Sequence, residues 1–162
     1  MSDPTDTPRV IAPPPLIAIG VLLIGLALDR IFPIGVAGAV FPRGARLTIG
    51  AALVAFAAWP MARAMLRFRL AGTHVEPWKP ATALAIRGIY KRTRNPMYQA
   101  MGLFVVGAAF AFASDWIFLL LPLGFLVMHF GVVRREERYL EAKFGDSYRQ
   151  FKDKVPRYGW PI

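Results

Sequence analysis

Residues 97–133 read MYQAMGLFVVGAAFAFASDWIFLLLPLGFLVMHFGVV, and this stretch decides the fold. It holds two apolar blocks, 97–114 and 116–133. Each has the roughly 17–25 residues that a helix needs to cross a bilayer, and neither shows the charged face of an amphipathic surface helix. Because only Ser114 and Asp115 separate the blocks, we predict a tight membrane hairpin, with Trp116 at headgroup depth.

Two further apolar blocks precede this hairpin, at about 14–32 and 47–66. The second is short and carries Pro60, but snorkelling arginines could lengthen it. The chain is 56% hydrophobic, whereas soluble domains contain about 45–50% apolar residues. We therefore predict an all-α membrane protein with about four transmembrane helices, a C-terminal helical hairpin and cytoplasmic C-terminal helices.

The ends of the chain differ from this apolar middle. Residues 1–12 are polar and contain prolines, so we predict a disordered N-terminal tail followed by a single domain over residues 13–162. The block at 14–32 is longer than the apolar core of a cleavable signal peptide, and cleavage would leave three spans. We expect this block to remain as the first helix.

The basic residues indicate both the orientation and the class of partner. The net charge of +10 would suggest nucleic acid in a soluble chain. Here Arg9, loop 63–96 and tail 134–162 hold 17 of the 20 Lys and Arg residues, and the opposite side holds three. Such asymmetry is typical of cytoplasmic loops. We expect both termini in the cytoplasm, the bilayer as a partner, and no nucleic acid.

Metal and thiol chemistry find little support in the composition. The chain has no cysteine and two scattered histidines, His74 and His129. Disulfides, thiolate nucleophiles and cysteine-based metal sites are therefore excluded, and we expect no metal site. His129 is the only ionisable residue well inside a predicted span, and we expect it to be packed and hydrogen-bonded.

The segment before the hairpin, residues 72–98, has three prolines and two glycines and is predicted to be a structured loop. Its end, RNPMY, has the pattern of a helix start, with Asn95 as the N-cap and Pro96 in the first turn. We expect Arg94 to be an anchor at the headgroups. The free N–H groups of such a helix start can also bind a carboxylate or phosphate.

The segment after the hairpin is predicted to continue as a helix over residues 132–144 and to stop at Gly145. A second, short amphipathic helix then starts at Asp146 or Ser147. Glu136 and Glu137 have two interpretations. They are either ordinary surface charges paired along the helix, or a carboxylate pair for a cationic ligand.

Taken together, one end of the hairpin offers N–H groups, and its other end returns carboxylates to the same interface. A ligand of mixed charge could span them. S-adenosylmethionine fits this description, since it carries a carboxylate, an ammonium, a sulfonium and an adenine.

The same segments carry a family resemblance. In order, they contain GIY (88–90), RNPMY (94–98), EERYL (136–140) and FGDSY (144–148). Over residues 72–158 the chain resembles the isoprenylcysteine carboxyl methyltransferase and phospholipid methyltransferase group of integral membrane enzymes, as a bacterial-type member. The first two spans match only in character. The resemblance implies an integral protein of the bacterial inner membrane.

The resemblance also implies an S-adenosylmethionine site. The residues that it places around the adenosine are Thr82, Ala83, Leu84 and Ala85, with Tyr90 packed nearby. Those that it places at the methionine end are Asn95, Pro96, Met97 and Tyr98. Glu136 would meet the ammonium or orient the cofactor, and Glu137 is the second choice.

Two positions depart from the isoprenylcysteine enzymes. Asn95 stands where they have histidine, and asparagine can donate and accept hydrogen bonds but cannot titrate near neutral pH. Val132 stands where they have an arginine for the substrate carboxylate. Arg134 and Arg135 are the nearest candidates for that role. The second departure argues against an isoprenylcysteine substrate and leaves methyl transfer intact.

We therefore predict an enzyme that transfers a methyl group from S-adenosylmethionine to a small or lipidic acceptor at the cytoplasmic interface. The acceptor group could be a carboxylate, a thiol or an amine. In-line displacement depends mainly on alignment, and no catalytic side chain is assigned. The alternative is a non-catalytic membrane scaffold that retains the fold. A transporter would need intramembrane charges or internal repeats, and the sequence shows neither.

Overall fold

The computed structural model describes residues 6–159, and this part of the chain is helical apart from its connecting loops. The helices are α1 Pro14–Ile31, α2 Val36–Val40, α3 Arg43–Ala71, α4 Pro96–Phe112, α5 Asp115–Met128, α6 Arg134–Phe144 and α7 Asp146–Lys154. A 3-10 turn, Gly88–Lys91, lies in the loop before α4, and a π-helical turn, His129–Val133, joins α5 to α6. The all-α prediction is confirmed.

Three of the described helices are long and apolar enough to cross a membrane. They are α1, α3 and the continuous helix Asp115–Phe144 that α5, the π turn and α6 form together. The fourth, α4, is apolar but has 17 residues. Helix α3 extends well beyond the predicted 47–66, because Pro60 is accommodated inside it and the helix ends only at Gly72, whose φ is 67°.

The hairpin turns where the sequence predicts. Ala113 adopts φ 54°, ψ 40° and ends α4. The Ser114 hydroxyl oxygen accepts a hydrogen bond from the Ile117 amide at 3.1 Å and caps α5. Ser114 also donates to the Asp29 carboxylate, and Trp116 Nε1 donates to the Phe32 carbonyl at 2.7 Å. The turn is thus tied to the end of α1.

Glycine allows α3 and α4 to pack with their backbones in close contact. A Cβ on Gly50 would lie 2.7 Å from the Gly107 carbonyl oxygen, and one on Gly107 would lie 2.9 Å from that of Gly50. Small residues at such crossings let membrane helices approach closely. The crossing leaves the start of α4 and all of α6 at the opposite end of the bundle from the hairpin turn. The end of α3, the loop that follows it and the C-terminal helices lie here. We call this end of the bundle the basic end.

Part of the N-terminal segment, residues 6–12, contacts the rest of the chain; residues 1–5 of the predicted tail lie outside the described part of the chain. Asp6 pairs with Lys143 at 2.5 Å. Its carboxylate also accepts a hydrogen bond from the Tyr139 hydroxyl at 2.8 Å. The Ile11 amide donates to the Gly131 carbonyl at 3.1 Å. This segment lies against the basic end because an acidic and an apolar side chain find partners there, which a polar composition does not predict.

Candidate functional site

The loop between α3 and α4 is folded by its own polar groups. The Thr82 amide donates to the Thr73 hydroxyl at 3.0 Å, and the Thr82 hydroxyl donates to the Gly72 carbonyl at 2.8 Å. The Ala81 amide donates to the Tyr139 hydroxyl at 3.0 Å. The loop is therefore fastened to the end of α3 and to α6, and its residues 83–85 face the space between them.

Two adjoining cavities at the basic end contain most of the predicted site residues. The first, which we call the polar cavity, has a volume of about 70 Å³. Of the residues that the sequence analysis selected, it is lined by Ala83, Leu84, Ala85, Tyr90, Asn95, Glu136 and Glu137. Thr82, Pro96, Arg134 and Arg135 do not line it.

The second, the methionine-lined cavity, has a volume of about 310 Å³ and runs between α1, α3 and α4. Its apolar wall includes Met61, Met65, Met97 and Met101. The two cavities share a set of polar and aromatic wall residues, which includes Tyr90, Arg94, Asn95 and Glu136. They meet at these side chains, and Tyr98 lines the second cavity but not the first.

Glu137 is neutralised inside the protein. Its carboxylate accepts from Arg157 Nε at 2.9 Å and from Arg157 Nη2 at 2.7 Å. Arg94 Nη1 lies 3.0 Å from Oε1 of the same carboxylate, the oxygen that accepts from Arg157 Nε, and the Glu137 side chain is only 8% exposed. The hydrogen bond to Glu137 raises the pKa of Arg157. A buried carboxylate held by two guanidinium groups is a structural unit, and it is a weak candidate for binding a further cation.

Glu136, one residue earlier, has a different environment. The Tyr98 hydroxyl donates to its carboxylate at 2.8 Å. Within residues 6–159, no lysine, arginine or histidine forms a salt bridge with Glu136. The side chain is half-buried and lines both cavities. It is thus a carboxylate that faces open space and retains its capacity to pair with a cationic ligand.

Arg94 is not the headgroup anchor that the sequence suggests. Its side chain is 9% exposed and pairs with Glu137. Its Nε atom is buried without a hydrogen-bond partner in the described part of the chain. Burial raises the pKa of Tyr148, whose hydroxyl lies beside Arg94, so this hydroxyl stays protonated. Arg94 is drawn inward because Glu137, 43 positions later, needs a cation.

Asn95 occupies the N-cap position of α4, but its side chain caps nothing. Its Nδ2 donates instead to the Arg157 carbonyl at 3.1 Å. Pro96 is the first residue of the helix, as predicted. The start of α4 is therefore positioned by contact with a distant segment of the chain. The prediction that the Asn95 side chain caps the helix is wrong.

That distant segment is a feature that the sequence analysis missed. Residues 156–159, here called the C-terminal strap, cross the start of α4. The Arg94 amide donates to the Pro156 carbonyl at 3.0 Å, and Gln99 Nε2 donates to the Gly159 carbonyl at 2.5 Å. Tyr158 lies 2.8 Å from His129 Nδ1, so His129 is packed and hydrogen-bonded as expected. The one sequence signal for such a partner is the run of polar residues TRN at 93–95, directly before an apolar helix.

The candidate substrate arginines lie elsewhere. Arg134 lies over the Phe130 ring at 5.5 Å, and Arg135 Nη1 donates to the Arg9 carbonyl at 3.0 Å. Neither lines either cavity. Val132, at the position where the isoprenylcysteine enzymes have arginine, is fully buried. The structure thus brings no unpaired arginine to the expected substrate position.

The side chains at the basic end have the chemistry that S-adenosylmethionine requires. Small-molecule sites commonly enclose about 300–1,000 Å³; the polar cavity alone is smaller, at about 70 Å³, and the methionine-lined cavity that meets it encloses about 310 Å³. Glu136 offers a carboxylate without a cationic partner, and the unpartnered Arg94 Nε offers a donor. Ala83, Leu84 and Ala85 supply an apolar wall.

Comparison with known proteins identifies the family of the chain. Residues 45–147, well over half of the chain, match the model of the phospholipid methyltransferase family. An uncharacterized protein of Haemophilus influenzae is 54% identical over 33 residues, which is 20% of this chain and 52% of that protein. The match thus spans about half the length of that relative. No solved structure matches the chain. The chain belongs to the phospholipid methyltransferase family.

Proposed function

We propose that the protein transfers a methyl group from S-adenosylmethionine to a lipid acceptor at the basic end of the bundle. The observation that carries this proposal is the position of Glu136. Its uncompensated carboxylate stands where a polar cavity and a methionine-lined cavity meet. A polar cofactor and an apolar acceptor approaching from these two sides would come together at one point.

On the cofactor side, Glu136 would pair with the ammonium of the methionine moiety, and Ala83, Leu84 and Ala85 would pack against the adenosine. The bound cofactor would supply a methyl group on a positively charged sulfur. The chain itself would supply alignment, and for an in-line displacement alignment accounts for much of the acceleration. The Tyr98 hydroxyl would keep the Glu136 carboxylate turned toward the cavity.

On the acceptor side, the methionine-lined cavity suits an apolar chain. Four of the chain's six methionines line it, and methionine adapts its shape to irregular apolar partners. Arg94, the one arginine in its wall, is already paired with Glu137. A carboxylate acceptor would therefore find no free cation, and we favour a lipid amine. Desolvation between the helices favours the neutral amine, which is the nucleophilic form.

Binding of the cofactor tests this proposal directly. We expect Glu136→Gln to weaken S-adenosylmethionine binding by about 1.5–3 kcal/mol, because a charge-assisted hydrogen bond is lost. Glu141→Gln is the matched control, since Glu141 lies on the same helix and lines neither cavity. Titration calorimetry on purified protein measures both. Equal affinity in wild type and Glu136→Gln would contradict the role of Glu136. Absence of binding by the wild type would favour the non-catalytic scaffold.

We further propose that the basic end faces the cytoplasm, with both termini on that side. The support is the division of Lys and Arg, 17 to three, between the two ends. A reporter that is active only in the cytoplasm, fused after Ile162, should be active. A well-expressed fusion without reporter activity would contradict this orientation.

A further inference from the structure

A third cavity lies at the basic end, behind the wall of the polar cavity. Its volume is about 270 Å³. It is formed by the last turns of α3 and the loop segment 84–87, and Arg67 and Arg87 both line it. We call it the arginine cavity. Among residues 6–159, no carboxylate forms a salt bridge with either arginine.

The Arg67 side chain lies against the backbone of Gly88. Gly88 has a φ of 65°, and a Cβ on it would lie 2.2 Å from Arg67 Nε. The guanidinium group is therefore directed to the loop side of α3, where the cavity lies. This close approach restricts the side chain, which reduces the entropy that a bound ligand would cost.

The rim of the cavity is apolar. Leu70 is 67% exposed and Ile86 is 39% exposed, and both line the cavity. Two unpaired guanidinium groups suit a phosphate, which they can contact through several N–H donors. The exposed leucine and isoleucine beside them suit a ligand whose phosphate is attached to an apolar part. A soluble phosphate would leave this rim uncovered.

We propose that the arginine cavity binds the phosphate headgroup of an anionic membrane phospholipid. Arg67 and Arg87 contact the phosphate, and Leu70 and Ile86 contact the chains next to the headgroup. Leu84 and Ala85 line both this cavity and the polar cavity. A bound lipid therefore also holds the wall of the polar cavity in place. This site does not depend on the identity of the methyl acceptor.

The test measures lipid binding to the full-length purified protein. Melting temperature in detergent is followed while phosphatidylglycerol, phosphatidylcholine or soluble glycerol phosphate is added. We expect phosphatidylglycerol alone to raise the melting temperature of the wild type. The double variant Arg67→Gln/Arg87→Gln should need on the order of tenfold or more lipid for the same rise, since each interfacial arginine contributes several-fold to anionic lipid binding.

Arg63→Gln is the matched control. Arg63 lies on α3 one turn before Arg67, over the Trp59 ring at 5.6 Å, and does not line the cavity. Phosphatidylglycerol should raise the melting temperature of Arg63→Gln as much as that of the wild type. If the double variant does not fold, Arg87→Gln alone serves, because Arg87 is exposed. An unchanged response of the arginine variants, an equal loss in Arg63→Gln, or an equal effect of glycerol phosphate would overturn the proposal.

Discussion

The two ends of the helical bundle use their acidic residues differently. At the hairpin end, Asp29 accepts from Ser114 and Asp115 accepts from the Ala37 amide at 2.9 Å. Both carboxylates hold a turn together. At the basic end, Glu137 is likewise occupied by Arg94 and Arg157. Glu136 has only the Tyr98 hydroxyl as a partner and faces two cavities.

This difference separates polar groups that stabilise the fold from one that is available to a ligand. A buried or half-buried carboxylate is costly unless it is paired, and three of the four carboxylates bond to groups that fix the chain. Glu136 departs from this pattern at the point where the cavities meet. The predictions below test the structural role of Glu137, of the contact between Ser114 and Asp29, and of a further acidic residue at the basic end, Asp6.

The largest effect is expected at Glu137. Glu137→Gln removes the charge that compensates two arginines, so we expect a loss of about 3–5 kcal/mol in the free energy of unfolding. Thermal and denaturant unfolding in detergent measure this loss. The conservative control is again Glu141→Gln, whose partner Lys152 is one-third exposed. A loss below 1 kcal/mol in Glu137→Gln would mean that the arginines find other partners.

A smaller effect is expected at the hairpin end. Ser114→Ala removes the cap of α5 and the donor to Asp29, and should cost about 1–2 kcal/mol. Cofactor affinity should stay at the wild-type value, because Ser114 is at the other end of the bundle. Unfolding and calorimetry are measured on the same sample. A weakened cofactor affinity would show that the two ends are not separable.

The smallest effect concerns Asp6, whose pKa is lowered mainly by the hydrogen bond from Lys143. Since the folded value lies below the unfolded one, the contact contributes above the ordinary value of about 3.9 and is lost as the pH falls through the lowered value. Protection of the Ile11 amide from hydrogen exchange, relative to its intrinsic rate at each pH, should therefore fall in that acidic range. Asp6→Asn should lower this protection at pH 7. Equal protection in the variant and the wild type would leave Asp6 without a role in holding residues 6–12.

The sequence predicts the local features of this fold well. Apolar block lengths, the turn at residues 113–114 and Pro96 at the start of α4 depend on neighbouring residues. The predicted roles of Arg94 as an anchor and of Asn95 as a cap are wrong. Their partners, Glu137 and Arg157, lie 43 and 62 positions away in the sequence. Local patterns favour an anchor and a cap for these residue types. The C-terminal strap is missed for the same reason.

The candidate site is likewise predicted only in part from the sequence. The family resemblance selects Glu136 and Glu137 together, since both belong to one motif. Only the three-dimensional arrangement distinguishes them, because it shows which carboxylate has arginine partners. The pairing of Arg94 with Glu137 also leaves the described wall of the methionine-lined cavity without an unpaired arginine. The sequence alone does not show whether Arg94 is paired.

The most direct measurement of the central claim is the transfer itself. Native membranes are incubated with purified protein and S-adenosylmethionine that carries a labelled methyl group, and the extracted lipids are analysed. We predict label on an amine-bearing lipid with wild type and Glu141→Gln, and little or none with Glu136→Gln. Label on a carboxylate lipid, or equal labelling by Glu136→Gln, would contradict the account.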